Sequence, residues 1–184
     1  MGVKLATARG LTSSLEPGLV LLNTTNFTAT NAASLPNNTF SSTYQNYKIH
    51  FQLTANSADQ TINMRFRNAG IDATAAEYNF ASKGSDITGG AFEYYNNAAT
   101  AFNIGQTDGG NSGTGYFMQW DIINPFDTKK TFIQGFSTGV ANSGTIFNMQ
   151  GGGIYYNDLS YDALTIYPST GTISGSFVVY GYNR

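Results

Sequence analysis

Apolar and polar residues alternate one by one along Tyr47, Ile49, Phe51 and Leu53, with Lys48, His50, Gln52 and Thr54 between them. A period of two sends successive side chains to opposite faces of an extended strand, so this segment has one face for a core and one for water. The pattern returns at Ile62, Met64 and Phe66, with Asn63, Arg65 and Arg67 opposite. The intervening residues 55–60 read as a hairpin loop, and the two segments are expected to pair as antiparallel neighbours.

Further strands are expected near Leu19 to Asn23, Asn26 to Thr30, Glu77 to Ala81, Ala91 to Tyr95, Tyr116 to Ile123, Thr131 to Thr138, Thr145 to Gln150, Ala163 to Tyr167 and Thr172 to Tyr182. Short alternating segments separated by turn residues indicate an antiparallel sandwich or barrel, and no helical-period segment is long enough for a βαβ unit. The fold expected is all-β: one β-sandwich over residues 18–184, preceded by an extended arm over residues 1–17 that ends at Glu16-Pro17-Gly18. A chain of 184 residues buries roughly 70% of the surface its unfolded form exposes, enough for a core without staples.

Composition agrees with the pattern. Only 11% of residues are charged, against about 25% in ordinary soluble domains, and Asn, Thr, Ser and Gly must solvate the surface instead. There are 12 Tyr, 13 Phe and 21 Gly, residues suited to strands and turns rather than helices. A net charge of −2 argues against nucleic acid as a partner, since that affinity comes mostly from Lys and Arg displacing counterions. No run of about 18 apolar residues exists to span a membrane, and the first residues lack the apolar stretch of a secretory signal. Synthesis and assembly in a cytoplasm, without a membrane partner, are therefore expected.

Residues 98–115 carry the run Asp108-Gly109-Gly110-Asn111-Ser112-Gly113, with nothing to pack, and are expected to form a long surface loop suited to binding. No Lys-Ser/Thr follows the glycines, so the phosphate-cradling fingerprints are not met.

The side chains available for chemistry are few. Cysteine is absent, which removes disulfides, thiolate metal sites and cysteine nucleophiles. His50 is the one histidine, and alternation puts it on the polar face as a solvated residue, unsuited to a Ser-His-acid triad or a histidine-rich zinc site. Asp121, Asp127, Asp158 and Asp162 are the acids that could converge as a glycosidase pair, but Asn and Asp in such loops commonly cap turns. The segments 157–162 and 108–112 offer oxygens to a hard cation without an EF-hand pattern. Tyr94, Tyr95, Tyr155, Tyr156 and Tyr161 are candidate exposed rings for sugars or an interface, with alternate members pointing inward. The expectation is a protein with no catalytic residues, no metal and no cofactor.

Three stretches resemble small bacteriophage virion proteins. One is the closing pattern Ala163-Leu164-Thr165-Ile166-Tyr167-Pro168, a 169–171 turn, then Thr172 to Tyr182, similar to those proteins' closing hairpin. The others are the opening Phe40 to Ile49, followed by Asn63-Met64-Arg65-Phe66-Arg67, Gly70 and Tyr78, and the central Trp120-Asp121-Ile122-Ile123-Asn124-Pro125-Phe126. The resemblance spans about residues 35–182 and implies a jelly-roll-like sandwich that assembles as a homotrimer, as a capsid cement or decoration protein or as part of a fibre. Because no coiled-coil shaft is present, the first expectation is a cement on the capsid surface of the virion, bound to the major capsid protein. Its arm would use Leu5, Leu11 and Leu15 as apolar anchors and Lys4 and Arg9 as charge contacts. The alternative is a receptor-binding module that grips a host-surface glycan through the 108–115 loop and the tyrosines; a polysaccharide hydrolase ranks third.

Overall fold

The computed structural model describes residues 18–58, 60–107, 115–140 and 145–183. The arm and its anchors Lys4, Leu5, Arg9, Leu11 and Leu15 lie outside these. Among the described residues there is no helix, and the strands run in order β1 (Leu19–Thr30), β2 (Ala33–Ser34), β3 (Asn46–Asn56), β4 (Gln60–Asn68), β5 (Ile71–Asp72), β6 (Tyr78–Asp86), β7 (Ala91–Ala99), β8 (Phe102–Thr107), β9 (Tyr116–Ile123), β10 (Thr131–Val140), β11 (Ile146–Tyr155), β12 (Ala163–Pro168) and β13 (Ile173–Tyr182). They form an eight-stranded sheet in the order β1-β13-β3-β9-β10-β11-β6-β7 and a five-stranded sheet β2-β12-β4-β5 with β8 also paired to β4. All pairings are antiparallel. The expected all-β sandwich is the observed class.

Alternation decides the inward faces. Tyr47, Ile49, Phe51 and Leu53 of β3 are buried, as are Tyr116, Met118, Trp120 and Ile122 of β9 and Phe177 and Val179 of β13. From the smaller sheet Ile62, Met64, Phe66, Leu164 and Ile166 meet them. Phe66 ties the sheets together, its ring 5.4 Å from Tyr161, 5.8 Å from Tyr155 and 5.9 Å from Phe102. The Tyr78 hydroxyl completes this knot, donating to the Ala73 carbonyl at 2.9 Å and accepting from the Phe66 N–H at 3.1 Å.

Two expected hairpins are not hairpins. β3 pairs with β13 and β9, whereas β4 pairs with β12, β5 and β8, so the 55–60 connection arches from one sheet to the other. The 169–171 turn does the same between β12 and β13. In each case the two apolar rows face each other across the core instead of lying side by side. Alternation within a strand is identical in both arrangements, so only packing of the two sheets separates them.

Two further expectations are corrected. The segments near Leu19 to Asn23 and Asn26 to Thr30 are one strand, β1, continuous across register shifts against β13. Much of 98–115 is not loop: β7 runs to Ala99, and β8 buries Phe102 and Ile104 against β4. The apolar pair Phe102 and Ile104 outweighs the glycine run that follows; residues 108–114 lie outside the described residues. β9 occupies an interior position in the large sheet, and its Asn124 exit is held by an N–H···O bond to Gln45 at 3.1 Å.

Candidate functional site

The outward faces of β9, β10, β11, β6 and β7 build a groove, and the register gives its rungs. One rung runs Asp121, Gln134, Gly152, Ala81, Tyr95; the next runs Gln119, Phe136, Gln150, Lys83, Glu93. Gly152 and Ala81 carry almost no side chain and form a floor. Gln134 and Phe136 stand on one side and Tyr95 on the other of about 690 Å³ over Ala81 and the Gly151 backbone, and Gly152 lines the adjoining depression, which Ala81 and Tyr95 share. The depression continues past Phe132 and Ile154 at one end and past Thr138 and Asn148 at the other.

Glycine in the middle of a strand weakens it and commonly marks a close approach. The triplet Gly151-Gly152-Gly153 has two different causes here. A Cβ at Gly151 would lie 2.6 Å from the Ala81 carbonyl oxygen, and one at Gly153 would lie 2.6 Å from that of Asn79 and 2.7 Å from the Phe102 ring. Both face the core. Gly152 faces out, and its missing side chain leaves the floor open.

Charges in the groove are matched. Lys83 Nζ lies 2.8 Å from Glu93 Oε1, and Lys48 Nζ lies 3.0 Å from Asp121 Oδ1. The Tyr182 hydroxyl also donates to Asp121 Oδ1. Burial alone would lower the Lys48 pKa, but hydrogen bonds to Asp121 and Tyr182 outweigh it and leave the ammonium more basic than usual. The Gln134 and Gln150 amides, by contrast, have no partner among the described residues and are exposed.

Tyr95 is 81% exposed, whereas Tyr94 turns back and hydrogen-bonds Gln106 on β8. Tyr156 is 55% exposed and lies beneath Lys130, 5.7 Å from the ring centroid. Tyr155 and Tyr161 are core residues; for Tyr161 the expectation of an exposed ring is corrected, because it fills the space beside Phe66 that the loop after β11 must cover. His50 is on the expected face but only partly solvated. It is half-buried between Phe117 at 5.6 Å and Tyr180 at 5.5 Å, and its Nε2 has no hydrogen-bond partner among the described residues. Burial, then the nearby Lys48 charge, lower its pKa from 6.5.

Each of the four aspartates has a partner of its own. Asp121 pairs with Lys48, Asp127 with Lys129, Asp158 with Lys130, and Asp162 accepts the Ala69 N–H. In the 157–162 segment, Asn157 donates to Glu77 Oε2 at 2.8 Å. Among the described residues no three His, Cys, Asp or Glu side chains gather as a metal site. The two acids of the groove, Asp121 and Glu93, stand four strands apart, about 19 Å along the sheet, whereas glycosidase carboxylates lie about 5–9.5 Å apart.

The groove residues Gln134, Gln150, Gly152, Ala81 and Phe136 were not singled out by sequence reasoning. The glycine triplet inside an alternating strand was the available signal. Compared with protein-family models, curated proteins and solved structures, the chain matches none.

Proposed function

We propose that this chain is a non-enzymatic attachment protein of a bacteriophage particle, holding a partner along the outer face of its large sheet. The observation that carries the reading is the open floor of Gly152 and Ala81, flanked by Tyr95 and by two glutamine amides without a partner among the described residues. An uncovered aromatic face and amides free of intramolecular bonds are available to a bound partner. Matched charges and widely separated acids favour binding over hydrolysis. The phage setting rests on the resemblance in sequence.

Of the two settings, the groove favours the receptor-binding module. The capsid cement, bound to the major capsid protein through Lys4, Leu5, Arg9, Leu11 and Leu15, is favoured by the arm that the sequence offers and by the lack of a coiled-coil pattern in it. Both are proposed as jelly-roll-like homotrimers, for which sedimentation equilibrium is the check. Immunogold labelling of particles with antibody to the full chain tests the reading: label on the tail or fibre tips supports receptor binding, label over the head supports cement, and unlabelled particles refute a virion role. Competition by the purified chain with particle adsorption is expected for the receptor-binding form.

A further inference from the structure

Resting on the attachment reading, we infer that the groove takes a neutral, linear glycan lying along β11, with a pyranose ring stacked on Tyr95 and hydroxyls bonded by Gln134 and Gln150. The floor is the first reason. From Asn148 to Ile154 the outward positions of β11 run about 20 Å at strand rise, the length of a short oligosaccharide rather than of a single sugar. Gln134 and Tyr95 are three strands apart across Gly152 and Ala81, about 14 Å between backbones, so a sugar chain fits between the walls.

The chemistry of the walls is the second reason. An amide offers donors and an acceptor side by side, which matches a pair of neighbouring sugar hydroxyls, each both donor and acceptor. Tyr95 presents an apolar face that nothing in the described residues covers, suited to the C–H face of a pyranose.

Charge is the third. Lys83 is held by Glu93 and Lys48 by Asp121, leaving no cation free in the groove among the described residues. A uronate, sulfate or phosphate group would have to break one of these pairs and face the displaced carboxylate. A polypeptide adding a strand to β7, the edge of the sheet, would lie beside the groove and leave its amides unused.

Affinity electrophoresis of the full chain tests the inference, using gels that contain amylose, dextran or galactomannan as neutral probes and polygalacturonate or heparin as acidic ones. Retardation is expected in a neutral gel and not in the acidic ones, unchanged between low and high salt. Tyr95→Ala is expected to weaken it about tenfold, and Gln134→Ala or Gln150→Ala about three- to tenfold each. Ala81→Leu, at an exposed position, fills the floor and abolishes it; unchanged Trp120 fluorescence and unfolding midpoint show that each variant is folded.

Retardation only in acidic gels, in no gel, or in neutral gels but untouched by Tyr95→Ala and Ala81→Leu overturns the inference. So does capture of a peptide strand on β7 without any glycan retardation. In each of these cases particles can still carry the immunogold label, whereas failure of the attachment reading leaves them unlabelled.

Discussion

Ser57 and Thr172 exchange two hydrogen bonds, Ser57 N–H to the Thr172 carbonyl at 3.0 Å and Thr172 N–H to Ser57 Oγ at 2.7 Å. They clasp the two arches that carry the chain between sheets, and Ser169 and Thr61 repeat the clasp one step on, with N–H···O distances of 2.9 and 3.0 Å. Gly171 beside them has φ +67, and a Cβ there would lie 2.3 Å from Ser57 Oγ. Gly171→Ala is expected to cost about 1–2 kcal/mol through the left-handed backbone and that collision, and Ser57→Ala about 1 kcal/mol. The double variant should cost less than the sum, because removing Oγ relieves the collision. Urea unfolding followed by the fluorescence of Trp120, the one tryptophan, measures all three.

The glycine triplet gives a contrast within three residues. Gly151→Ala and Gly153→Ala push a methyl into backbone carbonyls and core rings and are expected to cost about 1–3 kcal/mol each. For Gly152→Ala the nearest atom is the Ile133 carbonyl oxygen at 3.0 Å, and no core ring is met, so less than about 1 kcal/mol is expected. Equal denaturation midpoints for the three variants would contradict the assignment of faces.

Tyr161 and Tyr156 separate a core ring from a surface ring. Tyr161 is 3% exposed, and Tyr161→Ala is expected to cost about 3–5 kcal/mol. Tyr156→Ala removes an exposed ring on which Lys130 lies and should cost under about 1 kcal/mol. Thermal unfolding of the two variants reads the difference.

His50 makes stability depend on pH in one direction. Its folded pKa is lowered from 6.5 by burial and by Lys48, so between the two values the unfolded chain binds more protons than the folded one. Stability is then full above the unfolded value and is lost as pH falls through 6.5 to below the folded pKa. His50→Gln, which keeps polarity without titration, should flatten that part of the profile in unfolding measured from pH 8 down to about 5.

Strand positions were largely legible in the sequence. β9 falls where alternation places it, Tyr116 to Ile123, because the period of two and the buried face are one fact read twice. β8 was obscured, since Phe102 and Ile104 are only two apolar positions beside a strong glycine signal. At the groove, Tyr95 was within reach as one of five candidate tyrosines, but nothing local distinguishes it from Tyr94. Which of two adjacent rings faces out depends on the pairing of β7 with β6, across Ala81.

The sequence by itself determined that this chain is a sandwich of antiparallel strands, which residues of β3 and β4 form the core, and that thiol and histidine-rich metal chemistry are outside its means. These follow from side-chain type and a local period. The tertiary structure alone decided that β3 and β4, like β12 and β13, face each other across the core, and that Gln134, Gly152, Ala81 and Tyr95 share a rung. A strand's pattern fixes which face is buried but carries no label for its neighbour; partners are chosen by how two whole apolar faces fit, and a groove assembled from five strands exists only once that choice is made.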